Sequence, residues 1–182
     1  MMWDATKQPD RRTAAGRCGF TLIELVAVIS IVGIMSVTAI VAISGTDASR
    51  ARAAGRAVAR DLTFARDRAL ATGRDTWVSF TVLTSSYSVL VENPATPGRV
   101  GAVAIVDPAT GASFVVSLGQ RESAGVAIQS VTVPGGGNDI GFDWLGRPEN
   151  AAGTRLTSNA TVALSNGVSV TVAAGAGLAT SP

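Results

Sequence analysis

Glu24 is the residue whose setting asks most clearly for chemistry. It stands just inside the front edge of a run in which no side chain from Leu25 to Thr46 carries a charge. An unpaired carboxylate in lipid is costly, so Glu24 either marks an interfacial helix end in the headgroup layer or meets a cation. Gly19, immediately before Phe20, suggests a second chemistry. An ordinary secretory signal is cut after its apolar stretch, whereas here the small residue comes before it, so the apolar segment is expected to stay with the mature chain.

The rest of the inventory is poor in catalytic groups. There is no histidine, and Cys18 is the single cysteine. Cys18 precedes the apolar run and follows Arg17, the reverse of a lipoprotein anchor. These counts remove His-based triads and the usual N/S zinc sites. A cut after Gly19 would leave no cysteine, so an exported domain would have to fold without a disulfide. Asp139 and Asp143 are a conceivable calcium pair, but two carboxylates fall short of a cage's ligand density. Gly135-Gly136-Gly137 is followed by no Lys-Ser/Thr pair, and so is no phosphate loop. The expectation is a protein that is no enzyme and needs no metal or cofactor.

The elements that must position Glu24 follow from charge and periodicity. Residues 1–19 carry Lys7, Arg11, Arg12 and Arg17 against Asp4 and Asp10, a basic flank expected to stay cytoplasmic as a leader; Met2 offers a second start. Residues 20–46 are expected to form a single transmembrane helix, since about 22 uncharged residues at about 1.5 Å each span a hydrocarbon core. Residues 47–75 continue as an amphipathic helix. Ala54, Val58, Leu62, Ala65 and Ala69 make one apolar stripe, and Arg50, Arg52, Arg56, Arg60, Arg66, Arg68 and Arg74 occupy much of the remainder. Gly73 is the expected stop, with Gly33 and Gly45 as soft points.

From Trp77 the period changes to two. Trp77–Val82 and Tyr87–Val91 read as a hairpin, and 103–106, 113–118 and 126–133 as further strands. Thr161–Ser165 and Val168–Val172 flank Asn166-Gly167, the strongest hairpin signal in the chain. Residues 76–182 are thus expected to be a β-rich globular domain with two small antiparallel sheets. The segment 140–148 (Ile-Gly-Phe-Asp-Trp-Leu-Gly-Arg-Pro) reads as a short strand ending in a turn, with Phe142 and Trp144 packed and Gly146 at a positive φ.

The string Gly19-Phe20-Thr21-Leu22-Ile23-Glu24-Leu25 resembles the class III signal of type IV prepilins and type II secretion pseudopilins. The resemblance implies cleavage between Gly19 and Phe20, N-methylation of Phe20, and a filament-assembly role for Glu24. The turn residues Phe142, Gly146 and Pro148 resemble the signature before the C-terminal hairpin in the GspH/FimT branch. The implied fold is α+β and pilin-like: a long N-terminal transmembrane helix packed on a small antiparallel sheet domain. The implied partners are a prepilin peptidase/N-methyltransferase, other pseudopilins or pilins and an inner-membrane assembly platform. The expected location is the bacterial inner membrane, single-pass, with the C-terminal domain periplasmic.

The first functional reading is a minor pseudopilin of a type II secretion system. The second is a minor type IV pilin of the FimT kind, in pilus assembly or DNA uptake, and the third a membrane-tethered domain of another activity. Seven arginines in one helix invite a nucleic-acid reading. Yet Asp47, Asp61, Asp67 and Asp75 interleave with them, and from Phe20 onward eleven arginines face eleven acids. A solvated or subunit-facing helix is therefore expected ahead of DNA binding.

Overall fold

The computed structural model describes residues 20–181, with residues 37–45 described in backbone only. The leader, Cys18 and Gly19 therefore lie outside the described residues. The chain divides into two compact units, Met1–Val41 and Ala42–Pro182.

Helix α1 spans Leu22–Thr72 and is helical through both Gly33 and Gly45. In the first unit the described side chains are exposed, Phe20, Leu22, Ile23 and Ile34 most of all. The hydroxyls of Ser30 and Ser36 bond the carbonyls of Val26 and Val32, at 2.8 and 2.7 Å, and so satisfy themselves within the apolar run. Among the described residues no helix is long and apolar enough to cross a membrane. The described side chains of the uncharged run end at Ser36, about 18 Å of helix from Leu25 against the roughly 30 Å of a hydrocarbon core.

In the second unit α1 ends as its sequence requires. Gly73 adopts φ 64 and its N–H bonds the carbonyl of Ala69 at 2.9 Å, a left-handed cap. The expected stripe is the buried face: Ala54, Val58, Leu62, Ala65 and Ala69 are all in the core, joined by Ala51.

Two antiparallel sheets share that core. The first has six strands: β1 (Thr76–Thr81), β2 (Ser86–Val91), β3 (Val103–Ala104), β4 (Val115–Ser117), β6 (Asp139–Phe142) and β7 (Pro148–Glu149). Their order is β3-β2-β1-β6-β7, with β4 also on β2. The second has four: β5 (Ile128–Thr132), β8 (Ala160–Leu164), β9 (Ser169–Val172) and β10 (Ala179–Thr180), in the order β10-β9-β8-β5. Alternate residues Val78, Phe80, Tyr87, Val89, Ile140 and Phe142 of the first sheet and Val162, Leu164, Val170 and Val172 of the second face one cluster with α1. Burying each such side chain is worth about 1.5–3 kcal/mol.

The expected hairpins are present. β1 and β2 pair from Thr76↔Val91 to Thr81↔Ser86, and Asn166 (φ 59) with Gly167 (φ 71) turns β8 into β9. The three middle strands are shorter than their apolar runs. In 103–106 and 113–118 the ladder gives way to an isolated bridge, Val106↔Ser113, where the Asp107 turn begins. β5 is interrupted by a register shift between Ile128 and Ser130. β10 has no alternating pattern to announce it and forms because its two residues meet β9.

Candidate functional site

At the N-terminal end, Thr21 caps α1. Its Oγ1 accepts the Glu24 N–H at 3.3 Å, and its carbonyl accepts the N–H groups of Glu24 and Leu25, each at 3.1 Å. Thr-Leu-Ile-Glu is thus a capping sequence with the acid three residues after the cap, and a carboxylate in the first turn also suits the positive end of the helix dipole. Phe20 is 76% exposed. The helix begins one residue after Thr21, so Phe20 precedes it. Gly19 itself lies outside the described residues.

The motif at 140–148 forms a second locus. β6 and β7 pair through Gly141↔Glu149 and Phe142↔Pro148. Phe142 and Pro148 are buried, and Gly146 has φ 71 as expected. Trp144 departs from expectation: it is 55% exposed and not packed. β6 ends at Phe142, so the alternation that would turn Trp144 inward stops two residues earlier. What holds the turn is Asp143, whose Oδ1 accepts the N–H groups of Leu145 and Arg147 at 3.0 and 2.8 Å. Its Oδ2 meets the Arg147 guanidinium at 2.6 Å. Asp75 accepts the Trp144 N–H at 3.0 Å, and Arg66 donates to the Gly146 carbonyl at 3.2 Å, fastening the turn to the end of α1.

Asp139 is similarly engaged, by Arg99 at 2.6 Å, and that arginine also donates to Ser79. Both members of the conceivable calcium pair are thus ligands of guanidinium groups. Among the described residues no group of three or more acids, histidines or cysteines is placed to hold a metal.

Two buried acids escaped the sequence reading. Asp61, one of the acids set against the helix arginines, accepts the Tyr87 hydroxyl at 2.6 Å and is 7% exposed. Burial pushes its pKa up against the opposing Tyr87 bond, and burial with the nearby Asp61 charge raises the Tyr87 phenol. Its position three residues after Val58 and four before Ala65, beside the apolar stripe, was the available signal. Glu149 is 4% exposed and shares a cross-strand row with Trp77 and Gly141. Burial, then the charges of Asp75, Asp143 and Glu92, lifts it to about 7. The Trp77 Nε1 and Glu149 Oε1 are both buried without a hydrogen-bond partner.

Residues 15–43 match the family model described as the prokaryotic N-terminal methylation motif. The chain therefore carries the N-terminal motif of prepilin-type proteins on a domain of one helix and two antiparallel sheets. That fold is similar to the minor pseudopilin EpsH of the type 2 secretion system of Vibrio cholerae. One EpsH structure superposes with a TM-score of 0.52 at 12% identity, covering 73% of this chain and 96% of that one. A second gives 0.53 at 12% identity, covering 73% and 93%. No curated protein matches the sequence.

Proposed function

We propose that this protein is a minor pseudopilin of a type II secretion system: a structural subunit, not an enzyme, that joins a periplasmic pseudopilus through its N-terminal helix and helps move proteins outward. The observation that carries this reading is the coincidence, in one chain, of the methylation motif at residues 15–43 with an EpsH-like fold behind it. In this reading residues 1–19 are a cytoplasmic leader removed by a prepilin peptidase, the same enzyme methylates Phe20, and residues 20–46 anchor the chain in the inner membrane. The domain from Asp47 onward then lies in the periplasm. Glu24, once buried among neighbouring helices, pairs with the amine of an adjacent subunit and sets its axial position.

Co-expression with a prepilin peptidase tests the reading. Mass spectrometry is expected to show a chain shortened by 19 residues that begins with methylated Phe20, and Gly19→Leu is expected to block the cut. An intact N-terminus in peptidase-positive cells would refute it.

A further inference from the structure

Charge is unevenly placed along α1. Residues 47–60 carry four arginines and the single acid Asp47, whereas residues 61–75 carry three of each. The surplus thus sits in the part of the helix that directly follows the uncharged run, which ends at Thr46. Arg52, Arg56 and Arg60 succeed one another at four-residue spacing, and all three are exposed, while Ala51, Ala54 and Val58 on the other face are in the core. Like charges at that spacing repel and weaken a helix, so the row needs counter-charge from elsewhere.

The domain supplies little of it. Arg50 meets Asp47 at 3.2 Å, a surface pair of small worth. Arg60 lies 3.5 Å from Asp61. Arg52 and Arg56 form no ion pair or hydrogen bond among the described residues. The segments packed against this end of α1 are uncharged where they touch it: Asn166 donates to the Asp47 carbonyl at 3.2 Å, and Val168 and Ser181 face Gly55. Glu122 shares a cavity with Ala53 and Ala57, but Arg121 stands beside it in the same turn.

Geometry aims the surplus at one place. Helix side chains lean toward the N-terminus, which for Arg52 and Arg56 is the Thr46 end. The helix rises about 9 Å from Thr46 to Arg52 and about 15 Å to Arg56, and the headgroup layer outside a hydrocarbon core is about 5–8 Å deep. With the core boundary at Thr46, the long stem of Arg52 brings its guanidinium among the headgroup phosphates. Arg56 lies within a Debye length of them, about 8 Å.

We propose that Arg52 and Arg56 bind the phosphates of anionic lipid at the membrane surface, seating the domain against the headgroups next to its anchor. The placement of that surface rests on the anchor assigned to residues 20–46 under the pseudopilin reading; the arginine surplus does not. Nucleic acid fits less well, because a duplex footprint takes about 6–10 phosphate contacts and the surplus ends at Arg60, beyond which the charges balance.

The full chain, expressed in cells holding its peptidase and purified in detergent, is offered equal amounts of phosphatidylglycerol and phosphatidylcholine, and native mass spectrometry counts what stays bound. Phosphatidylglycerol is expected to be retained in preference, and Arg52→Gln with Arg56→Gln to cut that preference about tenfold. Arg52→Lys with Arg56→Lys keeps the charge and is expected to keep most of the preference. Arg68→Gln with Arg74→Gln removes two exposed arginines from the balanced part of the helix and is expected to change nothing, with Tm equal in all four proteins. A preference that survives the first pair, or falls equally with the last, overturns the proposal. So does displacement of the lipid by inorganic phosphate or by micromolar duplex DNA, which would make the row a site for a free anion or for nucleic acid. The same spectra read the N-terminus: an unprocessed chain counts against the pseudopilin reading, while lost preference in a chain that begins with methylated Phe20 counts against the lipid site alone.

Discussion

Glu149 shows how one buried side chain gives a domain a pH response. Its carboxyl is raised from 4.5 to about 7 when folded. Between those values the folded protein holds a proton that the unfolded chain has released. Stability is therefore full below about pH 4.5, falls as pH rises to about 7, and is level beyond, a loss of at most about 3 kcal/mol. Asp61, also raised, adds in the same direction. Thermal melts of the soluble part are expected to show Tm several degrees lower at pH 8 than at pH 5, and Glu149→Gln should flatten much of that slope. A Tm that rises across this range would contradict the assignment. Tyr87→Phe strips Asp61 of its 2.6 Å partner in the core, and urea titration is expected to show a loss of about 1–3 kcal/mol. At the other end of the chain, Glu24→Gln keeps volume and removes charge. Processing of Phe20 is expected to continue while crosslinking to neighbouring subunits falls.

At the scale of elements, close approaches decide what the strands tolerate. A Cβ on Gly141 would stand 2.5 Å from the Trp77 ring and 2.9 Å from Glu149 Cγ, because the buried indole lies over β6 where a side chain would otherwise project. Gly141→Ala improves strand propensity, yet it is expected to cost about 1–3 kcal/mol in urea titration, the ordinary range for overpacking. At Gly55 of α1 a Cβ would meet Ser181 Oγ at 2.6 Å and Val168 Cγ1 at 2.8 Å. The contrast with Leu62, fully buried in the apolar stripe, is instructive. Leu62→Ala loses packing and is expected to cost about 2–5 kcal/mol, whereas a side chain at Gly55 adds volume that Ser181 and Val168 must move to admit.

For the whole molecule the open contrast is between protein export and DNA capture. Arg147 is tied to Asp143 and Arg99 to Asp139, which withdraws two cations near the C-terminal sheet and the turn motif from any phosphate footprint. The chain after Val172 carries no basic residue. The exposed helix arginines, Arg52 and Arg56 among them, are the remaining route. Residues 47–182 are therefore expected to bind duplex DNA weakly and without sequence preference at about 0.15 M salt, read by anisotropy. Micromolar or tighter binding that collapses on Arg147→Ala with Arg155→Ala would favour the DNA-uptake reading over secretion.

Local chemistry made much of this protein legible in its sequence. The stripe from Ala54 to Ala69, the stop at Gly73 and the Asn166-Gly167 hairpin each depend on neighbours within a few residues, so their patterns announce them. The α+β class and two antiparallel sheets followed from the switch of period at Trp77. Tertiary structure alone decided what depends on distant partners. Asp61 reads as one more surface charge until Tyr87, 26 residues away, meets it in the core. Trp144 reads as packed until the end of β6 leaves it in a turn, and Glu149 reads as ordinary until β7 places it beside Trp77 and Gly141.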